Sequence, residues 1–238
     1  MLTELLSHSA EDTEHNSSES VRRLLDIHTA RLTSKDMRSC EAFMRNSFEG
    51  TGKWGIPIIR KQSIDLDNVD LIAYSDTRIL DSNPNLQKGV HFFVDDYRFS
   101  GIYNNPSRSF VKLQQYAFVL TPDFSTYAEM QPWRQIESVA HGRWCGALWQ
   151  RCGLTVIPTM TWSTPSSLEY CNDGVEEGSI VAVGMVGCKQ SKRAFMYGYD
   201  AMLDRVRPEA VICFGNPYPE MRGLIITIDY LASRKVVR

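Results

Sequence analysis

Two apolar runs that each end in acid constrain this chain more than any other feature. Residues 90–94 read VHFFV and lead into Asp95-Asp96-Tyr97-Arg98, and residues 116–120 read YAFVL and lead into Thr121-Pro122-Asp123-Phe124-Ser125. A turn-rich link and a short helix-compatible stretch, residues 107–115, lie between them. A continuous run of Val and Phe suits a strand covered on both faces. Two such strands joined through a helix are expected to lie parallel, with a right-handed crossover. In a parallel sheet every strand delivers its carboxyl end to one edge, and ligands bind at that edge in open sheets and in barrels. Polar residues just beyond these runs are therefore site candidates, set against the plainer role of an Asp that makes a turn or caps a helix.

The same pattern recurs along the chain. Residues 70–74 (DLIAY) end at Ser75-Asp76, and residues 154–162 (LTVIPTMTW) end at Trp162-Ser163, with Pro158 predicting a bulge or bend. Residues 179–186 end at Gly187-Cys188-Lys189, residues 210–214 end at Gly215-Asn216, and residues 224–230 form a last run. The clearest helix begins at Pro132 and stops at Gly153, with Gly142 and Gly146 placed for close packing. Ser166 and Glu169 match a capping box opening a short helix, and residues 191–206 read as another helix. Residues 17–39 and 41–48 predict front helices, and the chain closes on a basic tail at 233–238. The total is about seven strands and about four helices, which predicts an α/β fold. Its sheet is expected to be mainly parallel and irregular or incompletely barrel-like, with an N-terminal helical arm over residues 1–53 and the α/β domain over 54–238.

Composition removes several classes of function. With 238 residues and 43% hydrophobic content the chain can bury a large core. A formal net charge of −2 provides no global basic field for nucleic acid. The six cysteines form no CxxC pair and read as reduced thiols of a cytoplasmic protein. No stretch has the length of a membrane span, and the start does not read as a signal peptide. His8, His15 and His28 fall in the front arm, His91 reads as the start of its strand and on the wrong edge, and His141 falls mid-helix. A Ser/His/Asp triad and a His-bound zinc are both unsupported.

What remains at the predicted edge is acid from the early strands and Gly, Lys and amide groups from the later ones. Asp95 and Asp123 are the preferred pair, Asp95 being chosen over Asp96 because side chains alternate along a strand. Two such acids suit Mg2+ or Mn2+ through oxygen ligands, or shared general acid/base work. The segment 184–193, GMVGCKQSKR, joins a strand to a helix, and Gly184, Gly187 and Lys189 there resemble a phosphate cradle, loosely and without P-loop spacing. A tight turn and a solvated basic first turn explain it equally well. Arg98, Ser125, Ser163 and Asn216 complete the candidate binding set, with Trp162 as a stacking platform or a core aromatic.

The strings VHFFVDDYRF, LTPDFS, RWCGALWQ, VIPTMTWS and VAVGMVGCK together resemble an uncharacterised family, a domain of unknown function found in bacteria, phages and plasmids. The resemblance covers roughly residues 54–220 and leaves out the helical front. It implies a mobile-element protein acting on nucleotides, nucleic acid or a host defence component, and it brings no reaction and no catalytic residue. Three readings follow. One is a cation-assisted enzyme on a phosphate-bearing ligand, using Asp95 and Asp123. The second is a binding module that sequesters a nucleotide or a host protein without chemistry. The third is an adaptor that recruits a partner through its front helices.

Overall fold

The apolar runs form short parallel strands in a computed structural model of the chain, which describes residues 33–188 and 191–230, the side chains of Ala42 and Ser107 excepted. Strands β3 (Leu71–Ala73), β4 (Gly89–His91), β5 (Phe118–Leu120) and β6 (Val156–Ile157) make one sheet in sequential order. Strands β7 (Val181–Gly184), β8 (Val211–Phe214) and β9 (Ile225–Ile228) make a second. Every pairing within the two sheets is parallel, as connections through helices require. A small antiparallel hairpin, β1 (Gly50–Thr51) with β2 (Ile56–Pro57), precedes them.

Pro158 marks the seam between the sheets. Ile157 still pairs with Leu120 of β5, whereas Thr159 forms a parallel bridge with Ala182 of β7. The proline has no N–H to lend to a ladder, but its carbonyl accepts from the Ala182 N–H at 2.9 Å. The strand bends there and changes partner, so the two sheets form one continuous curved array of seven strands.

Side-chain alternation shows the curvature. Leu71, Phe118, Leu120, Ile157, Ala182, Ile212, Phe214 and Ile228 share one inner core, which brings the first strand of the array against the last. The outward residues Ile72, Val90, Val119 and Val156 pack on Trp144, Leu148 and Trp149 of the long helix, and Val181, Val183, Val211 and Cys213 pack on Phe195, Tyr199 and Met202 of the last helix. No ladder joins β3 to β9 among the described residues, so the array is an incomplete barrel.

Helices α1 (Ser34–Ser39), α2 (Glu41–Met44), α3 (Asn83–Leu86), α4 (Gly101–Asn104), α5 (Pro106–Leu113), α6 (Pro132–Arg151) and α7 (Lys192–Val206) complete the described residues. Pro132 opens α6, and Gly153 at φ +89 ends it. The Gly153 N–H donates to Gln150 O and the Leu154 N–H to Trp149 O, a Schellman stop. Both helix glycines are needed for contact. A Cβ on Gly142 would stand 2.8 Å from the Pro122 carbonyl oxygen, and one on Gly146 would stand 2.6 Å from Ile59 Cδ1.

The front of the chain differs from expectation. A capping box at Thr33, with extended backbone there, starts α1 at Ser34, so no single helix spans 17–39. The rest of that segment and the tail 233–238 lie outside the described residues. The second helix stops at Met44, where Arg45 turns left-handed at φ +52. Residues 41–48 are docked on α6. The Trp144 indole N–H donates to Glu41 at 2.9 Å, the Arg45 guanidinium lies 3.7 Å from the Trp144 ring centroid, and Phe48 meets Trp144 edge-on. The boundary expected at 53/54 falls inside the β1–β2 hairpin.

The segment at Ser166 also departs from its expected form. Residues Pro165–Glu169 form a 3-10 helix capped from Thr164, with no side-chain cap bond, and the Ser166 hydroxyl bonds Thr164 at 2.9 Å. Ser166 lies one step inside the helix, so the predicted capping box does not form.

Candidate functional site

Strand β4 ends at His91, three residues before the apolar run does, and the chain then leaves the sheet into a 3-10 turn, Asp96–Arg98. Alternation therefore does not reach the acids. Asp95 is exposed, with Arg98 at 3.9 Å as a weak companion. Asp96 turns inward instead, accepting from the Ser125 N–H at 3.1 Å and from the Ser125 hydroxyl at 2.8 Å. His91, expected at the start of its strand, is the last residue of β4. It is buried against Phe93 and Phe214, and its Nδ1 accepts the Phe93 N–H. Burial pushes its pKa down to about 3, so it is neutral and no proton shuttle at neutral pH.

Asp123 follows β5 in a loop stitched to its surroundings at three points. The Thr159 N–H donates to the Thr121 hydroxyl and the Thr159 hydroxyl donates to the Thr121 carbonyl, both at 2.8 Å. Thr126 and Thr161 share a hydroxyl–hydroxyl bond at 2.8 Å, and Ser125 holds Asp96. Below the loop, Phe124 is buried against Phe99 and His141, and Gly142 lets α6 approach Pro122. Asp123 is thus held by its neighbours while no hydrogen-bond or ion-pair partner among the described residues reaches its own carboxyl. Removal from water raises its pKa to about 7, the Asp96 carboxylate adds to the rise, and Arg143 opposes it.

Arg143 lies on α6, wholly buried. Its Nη1 donates to Thr159 O at 2.8 Å, Nη2 to Cys171 O at 3.1 Å and Nε to Asp173 O at 3.2 Å. Burial lowers its pKa to about 10, which leaves it charged at neutral pH. It ties the β6 extension and the 171–173 turn to α6 and places a positive charge near Asp123. Cys188, after β7, completes the neighbourhood: burial raises its thiol pKa and Asp123 raises it further.

The remaining predicted residues are placed as follows. Ser125 is in the site as the Asp96 donor. Ser163 donates its hydroxyl to Gln135 on α6 at 2.8 Å, a structural use. Trp162 packs on Phe195 with ring centroids 5.1 Å apart and covers Gly198. A Cβ on Gly198 would stand 2.2 Å from Trp162 Cδ1. Gly198→Ala is therefore expected to lower stability by about 1–3 kcal/mol through overpacking, measured by urea denaturation. An unchanged midpoint would show that Trp162 is free to move.

Gly184 makes room for the Phe93 ring, which a Cβ would meet at 2.7 Å. Gly187, at φ +80, and Asn216 are exposed in the loops after β7 and β8. Lys189 lies outside the described residues. In the first turn of α7, Lys192 pairs with Glu220 at 2.6 Å, and Arg193 has no ion pair among the described residues. Among the described residues no group of three His, Cys, Asp or Glu side chains is arranged to hold a metal. The pair Asp96–Asp123 offers two carboxylates, which suits a cation that keeps several waters, as Mg2+ does.

Asp96 and Arg143 were missed in the sequence. Asp96 was passed over because alternation was carried beyond the end of the strand. Arg143 had a visible signal, a lone cation in the otherwise apolar helix segment RWCGALW.

The class of protein is now defined: an α/β chain with an incomplete parallel barrel and an acid pair at the carboxyl edge of its strands. The chain belongs to the family described as "Domain of unknown function (DUF4417)", which matches residues 48–231. It is similar to the "Gene 1 protein" of Mycobacterium phage L5, 36% identical over 176 residues, which are 73% of this chain and 76% of that protein. It is also similar to the "Gene 1 protein" of Mycobacterium phage D29, 38% identical over 130 residues, 53% of this chain and about half (48%) of that protein. No solved structure matches it. No helix among the described residues is long and apolar enough to cross a membrane.

Proposed function

We propose that this protein binds a phosphate-bearing ligand, a nucleotide or nucleic acid, at the carboxyl edge of its parallel array, through Mg2+ or Mn2+ held by Asp96 and Asp123. The observation that carries the reading is the Asp123 carboxyl, held in place by its loop and raised to about 7, with no donor of its own among the described residues and the Asp96 carboxylate acting on it. Such a group is relieved by a proton or by a cation. A hard divalent cation on one or two carboxylates completes its shell with waters and phosphate oxygens. The first turn of α7, after β7, carries Lys192, paired with Glu220, and Arg193, which has no ion pair among the described residues. The phage relatives fit the mobile-element context.

Titration of the protein with MnCl2 in a calorimeter, with and without pyrophosphate, tests the reading. Saturable binding that Asp123→Asn weakens about 100-fold is expected, since one charged ligand of two is lost. Heats unchanged in that variant, or none in the wild type, would overturn it. The cation must displace the Asp123 proton, so affinity is expected to fall about tenfold per pH unit below about 7 and to level off above it. A pH-independent affinity would remove Asp123 from the ligand set.

A further inference from the structure

Three large aromatic side chains stand in water on the segments that follow the two acids in the chain. Tyr97, next to Asp96, is 72% exposed; Tyr127, two residues past Ser125, is 63% exposed; Trp133, at the start of α6, is 66% exposed. Leaving rings of this size uncovered costs hydrophobic free energy that burial elsewhere in the fold would recover. Each arises where the chain passes the carboxyl edge. Tyr97 is in the 3-10 turn after β4, Tyr127 opens the turn closed by the Met130 N–H on its carbonyl, and Trp133 lies in the first turn of α6.

Two of the three are followed directly by arginine. The Arg98 guanidinium lies 5.4 Å from the Tyr97 ring centroid and, among the described residues, has only Asp95, at 3.9 Å, as an ion-pair partner. Arg134, beside Trp133, leans on Glu137 one turn along the helix. Exposed aromatic faces with guanidinium groups next to two of them in sequence suit a planar ligand that carries negative charge. They do not suit an apolar protein helix, which calls for an aliphatic stripe. Every nucleobase presents a π face, and stacking on aromatic side chains tolerates any sequence.

We infer that Tyr97, Tyr127 and Trp133 form a stacking platform for single-stranded nucleic acid whose backbone passes the Asp96–Asp123 pair. The inference deepens the reading of the acid pair and rests on it for the position of the phosphates. It also moves the stacking role from Trp162, which is committed to Phe195 and Gly198, to rings that are exposed. Three platforms on separate segments suit successive bases of a strand better than the one base of a free nucleotide.

The test uses the full chain with Mn2+ and a fluorescently labelled oligothymidylate, read by anisotropy, beside calorimetry with pyrophosphate and with thymidine triphosphate. Oligothymidylate is expected to bind at least tenfold more tightly than thymidine triphosphate. Tyr97→Ala, Tyr127→Ala and Trp133→Ala are each expected to weaken it about tenfold and to leave pyrophosphate binding unchanged. Tyr97→Phe keeps the ring face and is expected to retain affinity. Equal affinities for oligothymidylate and the triphosphate, or alanine variants that bind like the wild type, would overturn the platform. Loss of pyrophosphate binding with oligothymidylate binding intact would overturn the acid-pair reading and leave the platform standing. All three side chains are exposed, so their removal is not expected to unfold the chain, and an unchanged urea midpoint checks that.

Discussion

Arg143→Ala is expected to destabilise the fold by about 4 kcal/mol, the largest single-residue effect predicted. The guanidinium is 2% exposed and donates to three main-chain carbonyls, those of Thr159, Cys171 and Asp173, with Met160 Sδ 3.5 Å from Nη2. Removing it leaves these acceptors buried without donors, at about 1–3 kcal/mol each where water cannot reach them. It also opens a cavity in a close-packed region. At about 2–4 °C per kcal/mol for a chain of this size, the melting temperature should fall by roughly 10 °C or more. Arg143→Met separates the two causes, because it restores volume and leaves the carbonyls orphaned. It is expected to recover less than half of the loss. A methionine variant as stable as the wild type would mean that the carbonyls find other donors. The same substitutions take away the positive charge that opposes the rise at Asp123, so the Asp123 pKa is expected to climb further.

Asp123→Asn is expected to stabilise the protein above pH 7, an inversion of the usual effect of altering a well-placed residue. In the unfolded chain the carboxyl titrates near 3.8, and in the fold near 7. Between those values the folded state holds the extra proton, so raising the pH removes stability across that window and leaves it lowered above it. A rise of that size corresponds to about 4 kcal/mol at full effect, reduced to about 2 kcal/mol by the part of the group that stays open to water. The asparagine variant should therefore match the wild type below pH 4 and exceed it by about 2 kcal/mol at pH 8. Urea midpoints at the two pH values measure this directly. A variant that is weaker at pH 8, or a difference that does not change with pH, would show that Asp123 is ionised at little cost in the fold. Added Mn2+ is expected to close the gap at pH 8 by stabilising only the wild type, as binding to the native state must.

The amino-acid sequence by itself determined the parallel α/β class, the succession of the strands along the chain and the long helix from Pro132 to its glycine stop. Those features depend on local periodicity, on turn chemistry and on the rule that connected parallel strands share an edge, and all of these are written along the chain. Pro158 even marked the seam at which β6 gives way to β7, because a residue without an N–H cannot continue a ladder. Only the tertiary structure decided the rest. Asp96, not Asp95, turns toward Ser125 and Asp123 because β4 ends at His91, and strand length is set by where neighbours stop pairing, which no local pattern records. His91 moved to the opposite end of its strand for the same reason. Trp162 was used by the fold because Gly198, distant in sequence, leaves room for it. The acidity of Asp123 depends on withdrawal from water, on the nearby Asp96 carboxylate and on a guanidinium from α6, and electrostatic free energies of that kind exist only once the chain has closed around them.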